Sequence, residues 1–215
     1  MNRIAIIDYG MGNLHSVYSA LKHINPDADV VITANADDIQ NSQRVIFPGV
    51  GAMRDCMSEI KRLKLDIVIK QVIANRTPLL AICVGLQALL SHSEENNGVD
   101  CLNIFSGHVR FFGDDLHDQK KERLKVPHMG WNEVVQIKTH PLWSNIQDQS
   151  RFYFVHSYYV DVTDSSLIAG ETTYGKKFAA AFSKNNVFAT QFHPEKSAQA
   201  GLQLFKNFLS WNGTV

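Results

Sequence analysis

Cys83 stands at a sharp transition in the sequence, between an apolar strand and a helix. Residues 79–82 are continuously apolar, and a helical pattern begins directly after the cysteine. Small residues flank this turn, Ala81 before it and Gly85 after it, as the tight turn of a nucleophile elbow requires. A thiol at the start of a helix meets unpaired N–H groups that favour the thiolate. Cys83 is therefore a candidate nucleophile; a buried structural cysteine is the alternative.

A histidine and a glutamate stand two positions apart near the end of the chain. Pro194 biases His193 toward an extended backbone, and extended residues two apart project to the same side. Glu195 can then hydrogen-bond one ring nitrogen of His193, fix its tautomer and stabilise its cation. The other ring nitrogen would serve Cys83 as base and acid. Taken alone, such a pair is more often a histidine at a strand edge beside a solvated carboxylate.

Two glycines surround Val50 at the end of another predicted strand, in the order Pro48, Gly49, Val50, Gly51. Acyl transfer from an amide needs N–H donors for the tetrahedral oxyanion. Glycines on both sides let the Val50 peptide adopt, or flip into, an orientation that bulkier neighbours forbid. We expect the N–H groups of Val50 and Val84 to be the two donors. The alternative is an ordinary turn between a strand and a helix.

The elements that must position these residues alternate between strand and helix in the first half of the chain. Strand signals at 3–8, 30–32, 44–47 and 79–82 are separated by helical patterns, the first capped by Asn13. This alternation predicts an α/β fold with a mostly parallel central sheet flanked by helices. Further strand signals at 109–112, 132–137, 152–160, 179–182 and 187–192 predict additional antiparallel strands. Residues 113–125 carry both signs of charge and predict a solvated surface loop, and the lack of a linker predicts one domain over residues 1–215.

Composition excludes several classes of function. The 21 basic residues balance the 21 acidic ones, which argues against a nucleic-acid partner. The three cysteines form no CxxC pair and the nine histidines show no ligand spacing, so we expect no metal and no cofactor. The longest apolar run, residues 79–90, is too short to cross a membrane. The first residues lack the apolar core of a signal peptide, so we expect a cytoplasmic protein.

Several of these motifs, in this chain order, resemble the class I (triad) glutamine amidotransferase family. They are the segments 48–51 (PGVG), 81–87 (AICVGLQ) and 191–197 (QFHPEKS). Residues 8–13 (DYGMGN), 127–132 (PHMGWN) and 153–158 (YFVHSY) look like the glutaminase subunits of imidazole glycerol phosphate synthase. The resemblance covers essentially the whole chain and implies a flavodoxin-like fold. The elbow departs from the family pattern at Ala81, where glycine is usual.

The resemblance implies that Cys83 attacks the side-chain amide of glutamine while His193 moves protons and Glu195 orients it. Ammonia would pass to a (β/α)8-barrel cyclase subunit, the partner in a heterodimer that makes imidazole glycerol phosphate and aminoimidazole carboxamide ribotide for histidine biosynthesis. The implied contacts to glutamine are Gly49, Gly51, Gln87, Glu95, Ser157 and Tyr158. The implied partner-facing residues are Asn13, Trp131, Tyr153 and Lys196.

Three other interpretations remain open from the sequence. The glycines of residues 8–13 weakly suggest dinucleotide binding, but the third glycine of that motif would fall at His15. A glutaminase subunit of another ammonia-using synthase, or a stand-alone cysteine hydrolase, would carry the same triad. A non-catalytic interaction subunit is disfavoured because Cys83, His193 and Glu195 are all present.

Overall fold

The computed structural model describes residues 3–214 and contains an eight-stranded mixed sheet. In the first half, the elements are β1 (Ile4–Ile7), α1 (Leu14–Ile24), β2 (Val30–Thr33), α2 (Ala36–Gln40), β3 (Arg44–Gly49), α3 (Met53–Arg62), α4 (Leu65–Ala74), β4 (Leu79–Cys83) and α5 (Val84–Ala88). The second half contains β5 (His92–Ser93), β6 (Val99–Asp100), β7 (Gly107–Phe111), β8 (His128–Glu133), β9 (Val135–Gln136), β10 (Arg151–His156), β11 (Tyr158–Val162), β12 (Ile168–Tyr174), β13 (Lys176–Lys184), β14 (Val187–Thr190) and α6 (Ala198–Ser210). One-turn 3-10 helices lie at Glu95–Asn97, Pro141–Trp143, Ser165–Leu167 and Pro194–Lys196.

The central sheet has the strand order β2-β1-β3-β4-β14-β13-β12-β9. Its first five strands are parallel to one another, and β13, β12 and β9 continue the sheet in antiparallel pairings. The prediction of an α/β fold with a mostly parallel core and additional antiparallel strands is confirmed. The reason is visible in the strands themselves, because β1 and β4 are apolar and buried along their whole length, as strands covered on both faces must be.

The register of the strands brings the C-terminal ends of β3, β4 and β14 to one edge of this sheet. Gly49 at the end of β3 pairs with Cys83 at the end of β4, and Thr190 at the end of β14 pairs with Ile82. Because these strands are parallel, the residues that follow them emerge side by side. The segments around Val50, after Cys83 and around His193 therefore meet at the same edge, although they are far apart in sequence.

Two smaller sheets correct the sequence-based strand boundaries. The predicted strand over 152–160 is wrong, because β10 ends at His156 and β11 begins at Tyr158, with Ser157 between them. β10 pairs with β8, whereas β11 pairs with β7 in the four-stranded sheet β11-β7-β5-β6. The predicted strand over 132–137 divides in the same way, since β8 pairs with β10 and β9 joins the central sheet through β12.

The local predictions had mixed outcomes. Asn13 does precede α1, but its side chain makes no capping hydrogen bond. Residues 113–125 form a largely exposed loop, as predicted, although Leu116 is buried against the turn at Gly175. Helices α2 and α3 and strands β5, β6 and β12 were not predicted. Within residues 3–214, no helix has the length and apolar character needed to cross a bilayer.

Candidate active site

Cys83 lies at a strained turn between β4 and α5. Its φ of 54° and ψ of −108° fall outside the regions that L residues usually occupy. A Cβ atom on Gly85 would lie 2.0 Å from the carbonyl oxygen of Phe47 in β3, so only glycine lets α5 pass this close to the neighbouring strand. This strand–turn–helix geometry is that of a nucleophile elbow.

His193 and Glu195 form a buried pair beyond the end of β14. His193 has the extended backbone expected before proline, with φ −99° and ψ 99°. Glu195, however, lies in the 3-10 helix Pro194–Lys196, so the turn, and not strand alternation, brings the two side chains together. Glu195 Oε1 is 2.7 Å from His193 Nδ1. Nδ1–H therefore donates to the carboxylate, and Nε2 is the ring nitrogen left for chemistry.

The charges around His193 favour its protonated form. Burial lowers the pKa of this imidazole, but the nearby Cys83 sulfur and the Glu195 carboxylate outweigh burial and raise the pKa to about 10. His193 Nε2 is buried. The Cys83 sulfur raises the pKa of the ring both through its charge and through a side-chain hydrogen bond, so the nucleophile and its base are close neighbours in the cavity.

A cavity of about 270 Å³ contains the cysteine and the imidazole. Its walls bring together most of the residues that the sequence singled out for catalysis and glutamine binding, and they add Val155 and His156. The lining residues are Val50, Gly51, Cys83, Val84, Gln87, Glu95, Val155, His156, Ser157, Tyr158 and His193. Gly49 does not line the cavity, because it packs tightly beneath Tyr9 and Val84.

The two expected oxyanion donors differ in their present partners. Val84 is the first residue of α5, where the N–H group has no partner within the helix. The N–H of Val50 instead donates to the carbonyl of Met11 at 3.4 Å. The carbonyl of Val50 accepts from the thiol of Cys56 at 3.5 Å. In this conformation the Val50 N–H is therefore committed to the segment after β1, and not to the space beside Cys83.

Two buried glutamines form a layer behind the nucleophile. Gln87 Nε2 donates to the carbonyl of Tyr158 at 3.0 Å and to Gln191 Oε1 at 3.1 Å. Gln191 Nε2 in turn reaches Cys83 Sγ at 3.7 Å. Gln191 carried no predicted role, although its position two residues before His193 and its polar character directly after an apolar strand were available signals.

Glu95 contributes a carboxylate to the lining of the cavity. Its Oε2 accepts the N–H of Met53 at the start of α3, 3.0 Å away. Partial burial raises the pKa of this carboxyl, while the N–H of Met53 opposes the rise. Because Glu95 lines the cavity, its carboxylate could hold a cationic ligand group there.

Three of the residues predicted to face a partner gather outside the cavity. Trp131 on β8 and Tyr153 on β10 stand opposite each other, with ring centroids 6.1 Å apart. The ammonium of Lys196 lies 5.8 Å from the ring centroid of Tyr153. Asn13 precedes α1, which packs against the 3-10 helix that carries Lys196. We call Trp131, Tyr153 and Lys196 the aromatic face.

Residues 3–214 include no group of three or more His, Cys, Asp or Glu side chains that could hold a metal ion. Cys56, Cys83 and Cys101 are all free and buried. The arrangement that remains is a nucleophile, an imidazole and an orienting carboxylate, the set needed for acyl transfer from an amide.

Comparison with solved structures agrees with this fold. The chain aligns with a crystal structure of a glutamine amidotransferase at a TM-score of 0.72 and 12% identity, covering 98% of this chain and 99% of the other. It aligns with the glutaminase domain of Trypanosoma brucei CTPS with bound acivicin at a TM-score of 0.67 and 15% identity, covering 100% and 98%. At such low identity these likenesses show the fold alone.

Comparison at the sequence level is more specific. The family model for glutamine amidotransferase class-I matches residues 5–211. The chain is 56% identical to imidazole glycerol phosphate synthase subunit HisH of Pseudomonas putida, covering 99% of both chains. It is 55% identical to the HisH subunit of Acinetobacter baylyi, covering 99% of this chain and 100% of the other. The protein is a glutamine amidotransferase enzyme, and it belongs to the class I family that includes these HisH subunits.

Proposed function

We propose that this chain is the glutaminase subunit of imidazole glycerol phosphate synthase and acts in histidine biosynthesis. It hydrolyses glutamine to glutamate and ammonia, and the ammonia passes to a (β/α)8-barrel cyclase subunit. The observation that carries the chemistry is that Cys83 and His193 line one cavity while Glu195 binds the imidazole through Nδ1. The pathway is supported by relatives more than half identical over nearly the full chain, whose names place them in that synthase.

The triad performs the reaction in two halves. The sulfur of Cys83 attacks the side-chain amide carbon of glutamine, and the carbonyl electrons move to the oxygen. His193 gives its Nε2 proton to the departing nitrogen, which leaves as ammonia and a γ-glutamyl thioester on Cys83. Water then attacks the thioester as His193 Nε2 takes its proton, and glutamate departs as the thiolate reforms. Glu195 holds the ring orientation throughout and stabilises its cation.

The oxyanion site needs one rearrangement in the loop after β3. The N–H of Val84 is available at the start of α5, whereas that of Val50 donates to Met11. Turning the peptide between Gly49 and Val50 would bring the second donor toward the developing negative charge. The glycines on both sides of Val50 make that turn sterically possible, and two donors typically contribute more than either alone.

Glutamine would lie with its amide at Cys83 and its amino acid end toward Glu95. The Glu95 carboxylate is suited to the substrate ammonium, while the backbone of Ser157 and Tyr158 and the side chain of Gln87 support that end of the cavity. Gly51 borders the same space.

The aromatic face and Asn13 are proposed to contact the cyclase subunit. Trp131 is 44% exposed and Met129, two positions before it on β8, is 61% exposed, so this strand presents adjacent apolar side chains to solvent. We further infer one glutamine amidotransferase domain over residues 1–215, a cytoplasmic location and no nucleic-acid or membrane partner. The net charge of zero and the family match over residues 5–211 support this assignment.

A coupled assay tests the proposal directly. Glutamate release should be slow for the chain alone and strongly stimulated by the cyclase subunit together with its ribonucleotide ligand. C83A should abolish glutamine-dependent synthesis but leave synthesis from added ammonium intact. The matched control is C101A, because Cys101 is also buried but lies outside the cavity. A rate that the partner does not change would overturn the pathway assignment, and normal glutamine turnover by C83A would overturn the nucleophile.

A further inference from the structure

Two buried histidines lie on the neighbouring strands β8 and β10, and one of them borders the active-site cavity. His128 on β8 stands directly opposite His156 on β10, and the two side chains are 3% and 7% exposed. His128 Nδ1 is 3.0 Å from His156 Nε2. His156 also lines the cavity that contains Cys83. Neither histidine belongs to the triad, and the proposed mechanism uses neither of them.

The hydrogen bonds of this pair have only one consistent direction. His156 Nδ1 lies 2.7 Å from the carbonyl of Tyr158, which can only accept, so Nδ1 carries the hydrogen. Burial lowers the pKa of His156 to about 3, so its ring is neutral and Nε2 is an acceptor. His128 Nδ1–H must therefore donate to His156 Nε2.

The direction of the hydrogen bond at the other end of this pair, at His128 Nε2, is determined independently. Burial lowers the pKa of His128 to about 4, so this ring is also neutral and its Nε2 accepts a hydrogen bond. Asn132 Nδ2 lies 3.3 Å from that nitrogen and 2.9 Å from the carbonyl of Thr173. The Oδ1 of Asn132 accepts the N–H of Glu133, which sets the orientation of the amide. Hydrogens are thus donated in one direction, from Asn132 through both histidines to Tyr158.

The series of hydrogen bonds ends at the Tyr158 carbonyl, at a corner of the backbone where side chains supply hydrogen bonds. Ser157 separates β10 from β11, and the two strands belong to different sheets. On one side of this corner, Tyr158 pairs with Phe111 of β7 and the carbonyl of Ser157 accepts the N–H of Phe112 at 3.1 Å. The carbonyl of Tyr158 accepts from two side chains, His156 at 2.7 Å and Gln87 at 3.0 Å.

We propose that His128 and His156 are positioning residues that hold the Tyr158 carbonyl and thereby shape the glutamine-binding wall of the cavity. This inference rests on the proposed function, because it assigns that wall to glutamine. His156 makes the contact, and His128 holds His156 in the tautomer that donates from Nδ1. The pair acts on substrate binding and leaves the triad geometry unchanged.

Packing fixes the plane of the outer ring. His128 stacks on Tyr174 at 4.0 Å between centroids and 20° between planes, and on Phe154 at 4.9 Å and 22°. A phenylalanine at position 128 would keep this stacking and remove the hydrogen bond to His156. H128F therefore separates the role of the hydrogen bond from that of the packed ring.

Two substitutions at position 156 test separately its hydrogen bond to the Tyr158 carbonyl and its hydrogen bond to His128. In H156N the amide nitrogen can occupy the place of Nδ1 and donate to Tyr158. In H156Q the amide lies near the place of Nε2, where it can contact His128 but not the carbonyl. Losing the shorter of the two side-chain hydrogen bonds to the Tyr158 carbonyl should raise the KM for glutamine about ten-fold or more in H156Q, with H156N within about three-fold of the parent chain. In both variants the rate of Cys83 alkylation by iodoacetamide, measured without glutamine, should stay near that of the parent chain.

The measurement uses the full chain with its cyclase subunit, and melting temperatures are recorded for every variant. H140Q is the matched control, because His140 is another buried histidine and accepts the N–H of Leu142 at 3.1 Å outside the cavity. H140Q should lower stability without changing KM, whereas H128F should raise KM. Equal KM values in H156N and H156Q, whether raised or not, would overturn the inference alone. A parent chain that neither binds nor hydrolyses glutamine would overturn the proposed function as well.

Discussion

Glu195 Oε1 lies 2.7 Å from His193 Nδ1, and the two side chains are 1% and 2% exposed. A charge-assisted hydrogen bond sealed from water holds an imidazole more firmly than an exposed one does, because water cannot compete for either partner. The consequence is a ring with one nitrogen bound to Glu195 and the other directed at the cavity of Cys83.

Removing either member of this pair should reduce glutamine hydrolysis by different amounts. H193A should lower kcat about 10²–10⁴-fold, because it removes the proton carrier itself. E195A should lower kcat by a smaller factor, because the carboxylate orients the ring without transferring the proton. Steady-state rates with the partner present measure both effects. A larger loss in E195A than in H193A would contradict the assigned roles.

The pKa of His193 should depend on the cysteine. In the parent chain the pKa is raised to about 10, so the imidazolium persists through neutral pH and is lost only as pH rises toward that value. C83A removes one of the charges that raise it, while burial continues to lower it, so the pKa of His193 should fall. Histidine chemical shifts followed through a pH titration report this change. An unaltered titration would show that the sulfur does not interact with the ring.

The elbow should not tolerate a side chain at position 85. The Cβ of G85A would lie 2.0 Å from the carbonyl oxygen of Phe47, so α5 must move away from β3 and carry Cys83 with it. We expect glutaminase activity to be lost and the free energy of unfolding to fall by roughly 3 kcal/mol or more. G113A is the control: Gly113 has a φ of +97° but open space around it, and its cost should be about 1–2 kcal/mol. Urea unfolding of both variants makes the comparison.

Stability should fall in mild acid. Burial lowers the pKa of His128 and His140 to about 4 and that of His156 to about 3. Below their unfolded pKa of about 6.5 the unfolded chain binds protons that the folded chain excludes, so acid favours unfolding. Between its folded and unfolded pKa values, each histidine lowers the free energy of unfolding by about 1.4 kcal/mol for each unit that the pH falls. The three together lower it by roughly 4 kcal/mol per pH unit.

Urea unfolding between pH 7.5 and pH 5 measures this slope. Above about pH 6.5 the three histidines are neutral in both states and should contribute no slope. H140Q should reduce the slope by about one proton, because it removes one excluded histidine. A free energy of unfolding that stays constant down to pH 5 would show that these side chains are protonated in the folded protein.

The aromatic face should determine affinity for the cyclase subunit. Replacing a large exposed anchor at the centre of an interface typically weakens binding about 30-fold or more, so W131A should raise the Kd by that order. K196A should also raise the Kd, because it removes the ammonium group above the ring of Tyr153. The control is I67A, because Ile67 is 52% exposed on α4, outside the aromatic face. Equal affinities in W131A and I67A would place the partner elsewhere.

The sequence predicted the triad contact between His193 and Glu195 and the elbow at Cys83, because each depends on a few adjacent residues. The edge at which they meet follows from the parallel strands of the structure, because such strands deliver their ends to one side of a sheet. The gap in the strand at Ser157 left no glycine or proline signal. Its cause is tertiary, because the strands on either side belong to different sheets.

Other features were missed for different reasons. Helix α3 carries its buried residues at helical spacing, Met53, Cys56, Met57 and Ile60, so its pattern was readable. The contact between His128 and His156 was not, because it depends on the register of β8 against β10. The reach of Gln191 to Cys83 likewise joins residues 108 positions apart.

The insertion of β14 between β4 and β13 has a consequence for the growing chain. The ribosome adds Cys83 long before His193, and the two side chains come together only once β14 has joined the sheet. A nascent or truncated polypeptide that stops short of β14 therefore contains the thiol but no base. Such incomplete chains should release no ammonia in the cell, so chemical competence begins with completion of the sheet.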